Sequence, residues 1–133
     1  MKTKNKLIVI VLSAIVLLAA AVPVFALVGN FSYGTTHQCA DVTCTGKVTA
    51  AKAMSKLEME LNDPNCFPQS DYSGRVWVRA KNSYGIILFT INNSGSAGQL
   101  TVLANRVLDN GTPSIVMFKY YVNDGLVFEN DIY

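Results

Sequence analysis

His37, Cys39, Cys44 and Cys66 are the residues whose types could do chemistry in this chain. Imidazole and thiolate are the ligands zinc prefers. However, His-x-Cys-x4-Cys with a distant third cysteine is not a zinc-site spacing. A helix expected between Cys44 and Cys66 would also hold them apart, so no metal and no cofactor is expected. A Cys-His nucleophile pair would need a third group to orient the imidazole, and none is apparent. The remaining use is covalent. In an oxidising compartment, Cys39 would pair with Cys66 and close a loop of about 27 residues, stabilising the fold by about 3 kcal/mol. The small loop Cys39 to Cys44 is the alternative pairing. One thiol is left over, either buried and inert or linking two chains.

Arg75, Trp77 and Arg79 form the second constellation, spaced two apart in a stretch that alternates with Val76, Val78 and Ala80. On a strand, residues two apart share a face. Burying the valines keeps both guanidiniums in water, so the arginines and the indole belong on the open side. Such a trio can stack on a sugar ring or aromatic group while the guanidiniums hold a carboxylate or phosphate. The plainer alternative is that the arginine stems simply cover the indole.

No phosphate-binding glycine loop, Gly-x-Ser-x-Gly elbow or carboxylate pair at helix or strand spacing is present. The catalytic residues are thus none, and an enzyme built on the Cys/His set is the alternative function. Asn30-Phe31-Ser32, Asn92-Asn93-Ser94 and Asn110-Gly111-Thr112 fit the glycosylation pattern.

The elements that must position these residues divide by period. Ala50, Ala53, Met54, Leu57 and Leu61 fall on one side of a 3.6-residue helix, which predicts a helix over 46–62, capped by Thr45 and stopped before Pro64. Downstream, 75–81, 84–92, 99–108, 114–122 and 126–133 read as strands, linked by short glycine-bearing turns that suit antiparallel hairpins. Residues 27–36 read as an edge strand or extended arm. The expected class is α+β: one helix packed on a four- to five-stranded antiparallel meander. That order of elements resembles the cystatin arrangement. The resemblance is architectural, because Lys81-Asn82-Ser83-Tyr84-Gly85 and Asp109-Asn110-Gly111-Thr112-Pro113 lack the Gln-x-Val-x-Gly and Pro-Trp loops of a cystatin inhibitor.

Ahead of this domain, Lys2, Lys4 and Lys6 precede an apolar run from Leu7 to Val28, with Val24-Phe25-Ala26 offering a signal-peptidase site. Residues 1–26 are expected to be a signal peptide, or an uncleaved anchor to about residue 28, with 27–133 a single domain on the outer side. Of 11 Lys and Arg, three lie in that leader, leaving eight against nine Asp and Glu, a net charge near −1. The one-sided basic field of a nucleic-acid binder is missing. The expectation is a secreted or surface-tethered, non-catalytic binding domain for an extracellular protein or cell-surface ligand, touching membrane only through an uncleaved N-terminus. A self-assembling surface protein is a further alternative, since 99–108 or 126–133 could be an open sheet edge.

Overall fold

The computed structural model describes residues 26–37, 39–63, 65, 73–95, 101–108 and 112–133. The expected leader, Pro64 and Cys66 lie outside these. Eight strands follow in order: β1 (Gly29–His37), β2 (Ala40–Val48), β3 (Lys52–Leu61), β4 (Gly74–Lys81), β5 (Ile87–Gly95), β6 (Thr101–Val107), β7 (Ile115–Val122) and β8 (Gly125–Ile132). They build two antiparallel four-stranded sheets, ordered β1-β2-β3-β6 and β5-β4-β7-β8. None of the described residues is helical, so the α+β expectation, with its cystatin-like order, is overturned in favour of an all-β sandwich.

The physical reason lies in β2 and β3. Ala40, Val42, Cys44 and Val48 are buried on alternate positions of β2 while Asp41 and Lys47 face out. In β3 the buried set is Ala53, Ser55, Leu57 and Met59. Ala53 and Leu57 satisfy a helical and an extended period alike. The deciding residue is Ser55, a polar side chain at an inward position, which hides the period of two. Its hydroxyl donates to the Tyr120 Oη at 2.7 Å, and Tyr120 in turn donates to the Thr45 carbonyl at 2.8 Å. A buried hydroxyl so satisfied costs little. As a strand, 52–61 pairs with β2 on one side and β6 on the other. Ala, Lys, Glu, Met and Leu favour helix by a few tenths of a kcal/mol per residue, which the two ladders and the packing of a second sheet exceed.

The meander is corrected as well. β4 pairs with β5 and with β7, while β6 lies in the other sheet against β3. The cover over β4 is therefore the facing sheet, as in other sandwiches. Val76, Val78 and Ala80 are buried there together with Val116, Phe118, Tyr120 and Val122 of β7. Along the β1/β8 side, Phe31 meets Phe118 edge-on at 5.1 Å and Tyr33 stacks on Phe128 at 4.2 Å. Two tight turns form where Asn and Gly predict them. Asn82 Oδ1 accepts from the Tyr84 and Ile86 amides at the β4–β5 turn. Asn123 and Asp124, with φ of 47° and 63°, make the two-residue β7–β8 hairpin that left-handed backbone favours.

Candidate binding face

The Cys/His set does not come together as a reactive site. Cys44 is a free thiol, wholly buried in mid-β2, and burial pushes its pKa from 9.0 up to about 12. A thiol protonated at neutral pH and sealed from solvent is neither nucleophile nor metal ligand. His37 and Cys39 flank the β1–β2 turn at the end of the sandwich, His37 lying beside Gly125 of β8. Among the described residues no three His, Cys, Asp or Glu side chains gather as a metal would require. Of the two pairings expected, the alternative is corrected: Cys39 is in disulfide form but Cys44 is free, so the 39–44 pairing is excluded and no disulfide joins two described residues. The pairing expected with Cys66 falls on a residue outside the described ones.

The second constellation sits on the outer face of β5-β4-β7-β8. Arg75, Trp77 and Arg79 are half-buried on alternate positions of β4, with the valines beneath. Antiparallel register sets Tyr121 beside Arg75, and Lys119 beside Trp77. The Arg75 guanidinium lies 3.8 Å over the Tyr121 ring. The Arg79 guanidinium and the Lys119 ammonium lie 4.8 and 5.1 Å from the centre of the Trp77 ring. On the β5 side, Arg79 Nε donates to Thr90 Oγ1 at 3.0 Å. The indole is thus not a bare platform: the Arg79 and Lys119 cations lie over it, while Arg75 lies over Tyr121 instead.

That arrangement leaves charge uncompensated. Lys119 has Glu129 of β8 at 4.0 Å, an exposed and long pair. Arg75 and Arg79 have no carboxylate within 4.0 Å among the described residues. A guanidinium held over a ring uses its face for that contact, which leaves its in-plane N–H donors available to a carboxylate. Four residues of extended strand separate the two, about 14 Å at about 3.4 Å per residue. Beside Arg75 a depression is lined by Ser73, Ser94, Gly95, Tyr121 and Asp124.

Lys119, Tyr121 and Thr90 are contributors that the sequence does not reveal as such. Alternation in 115–122 puts Met117, Lys119 and Tyr121 on one side, but only the β4–β7 pairing across some forty residues makes that side continuous with Trp77.

Fold and face together define an antiparallel β-sandwich domain with one cation-rich, aromatic sheet face. No family model, curated protein or solved structure matches the chain at a significant level.

Proposed function

We propose that this is an exported, secreted or surface-tethered, non-catalytic binding domain whose face around Arg75, Trp77 and Arg79 takes an anionic, ring-bearing ligand of the extracellular surface, such as an acidic polysaccharide. The observation that supports this is the pair of guanidiniums held over aromatic rings with no carboxylate opposite them. A ligand carboxylate would supply the missing counter-charge through charge-assisted hydrogen bonds, each worth about 1.5–3 kcal/mol. Export rests on the lysine-flanked apolar run before residue 28. Affinity electrophoresis in polygalacturonate against neutral dextran tests the proposal. Retardation by the acidic polymer alone is expected, with Arg75→Gln and Arg79→Gln each weakening it about tenfold. Equal mobility in both gels, or retardation indifferent to both substitutions, refutes it.

Self-association is a second reading, favoured by β6 and β8, each of which ends its sheet. The β6 edge exposes Leu103 and Val107, although Asn93 of β5 occupies the Leu103 carbonyl at 2.8 Å.

A further inference from the structure

Of the nine exposed large apolar side chains among the described residues, six gather at one end of the sandwich, while Tyr33, Leu103 and Leu126 lie elsewhere. These are Tyr84 and Ile86 of the β4–β5 link, Ile87 at the start of β5, Val107 at the end of β6, Val28 just before β1 and Tyr133 just after β8. Tyr84 and Tyr133 are the barest, 87% and 81% exposed. Two adjoining depressions mark the same end: one runs between Leu27, the β2–β3 turn at Thr49 and Ala50, and Pro113. The other continues past Val28 to Ser83 and Tyr133. Gly29 and Ile132 are in contact here, so both sheets terminate together.

Charge is sorted along the same axis. Register places Lys47, Lys52, Lys81 and Arg106 at or near this end, against Asp131 alone among the described acids, a balance of +3. The opposite end, with the β1–β2 and β7–β8 turns, carries Asp41, Glu58, Glu60, Asp63 and Asp124 against Arg75, a balance of −4. A domain with a net charge near −1 thus presents a basic, aromatic and aliphatic end. Residue 26, where the apolar run of the sequence joins the described domain, lies at that end as well.

We infer that this end lies on a bilayer containing anionic lipid. Tyrosine suits the boundary between headgroups and chains, where its ring is apolar and its hydroxyl stays wet. Exposed isoleucines at a sheet end gain by entering that boundary, while lysine and arginine around them meet the negative headgroups. The acidic end is repelled by the same surface, so the charge separation also sets the orientation. With the domain so seated, the face carrying Trp77 runs along the sandwich, its strands rising from the membrane rather than lying against it.

The test places a reporter at the end itself, because the apolar run alone could hold the full chain on any bilayer. Trp77 is the only tryptophan. The full chain carrying Trp77→Phe and Tyr84→Trp, reconstituted into vesicles of phosphatidylcholine with 30% phosphatidylglycerol, is expected to emit at blue-shifted wavelength and to be quenched at least twofold by brominated lipid. In pure phosphatidylcholine, or after Lys47→Gln, Lys52→Gln and Arg106→Gln, quenching should fall by more than half. Tyr133→Trp in the wild-type background, with Trp77 emission subtracted, gives the same readout without altering Trp77. Water-like, unquenched emission of both reporters overturns the inference. So does equal quenching in neutral and anionic vesicles, or a blue shift without lipid that grows with protein concentration, which would assign the end to a second copy. None of these outcomes depends on polysaccharide binding.

Discussion

Tyr120→Phe removes one oxygen from the centre of the sandwich, and its cost can be worked from the contacts that oxygen makes. The Tyr120 hydroxyl accepts from Ser55 at 2.7 Å and donates to the Thr45 carbonyl at 2.8 Å, with Ser55 and Tyr120 both essentially sealed from solvent. Deleting it strands the Ser55 hydroxyl in a dry core and leaves a carbonyl lone pair unmet. At about 1–3 kcal/mol for each stranded group, the expected loss is about 2–6 kcal/mol. Ser55→Ala leaves the Tyr120–Thr45 bond intact and should cost about 1 kcal/mol. The double variant strands only the carbonyl, so its cost should fall short of the sum by about 2–4 kcal/mol. Urea denaturation followed by the emission of Trp77 measures all three against the wild type. Additive costs, or a loss below about 0.5 kcal/mol for Tyr120→Phe, would refute the account of how β3 tolerates a serine at a core position.

Alkaline pH should unfold the domain through the same region. Folding holds the Cys44 pKa at about 12 against 9.0, and burial raises that of Tyr120 above 10.0, so the folded chain keeps protons that the unfolded chain releases. Stability is full below pH 9 and falls as pH rises from 9 toward 12. The thiol's share is about 4 kcal/mol at most, at about 1.36 kcal/mol per pH unit. Cys44→Ala should flatten the decline measured by denaturation at pH 8 and pH 11, and an unchanged slope counts against it. Self-association through the β6 edge should appear in sedimentation velocity as a concentration-dependent shift, reduced by Leu103→Lys. A monomer at every concentration, with and without reductant, rules that reading out.

How much of this was legible in the sequence depends on the reach of each signal. Val76, Val78 and Ala80, or Val116, Phe118, Tyr120 and Val122, alternate within one strand, so their strands and inward faces can be read locally. Ser55 defeats such reading because its partner lies 65 residues away. The placement of Arg75, Trp77 and Arg79 on one open face follows from local alternation. That Lys119 and Tyr121 complete it follows from sheet order, which no local period encodes. A helix over 46–62 leaves no second sheet to cover the first, so the meander expectation follows from the same ambiguous period in β3.

The strand order also bears on how fast the chain can fold. β1, β2 and β3 follow one another by hairpins, but β3 needs β6 on its other side and β4 needs β7, with whole strands intervening. Each of those pairings must close a long loop before it gains any ladder, and topologies dominated by such closures fold in milliseconds to seconds rather than microseconds. For a chain proposed to cross a membrane, that delay has a use. A polypeptide that cannot complete either sheet until its last third has been made would stay threadable during such export, and would acquire its sandwich only on the far side.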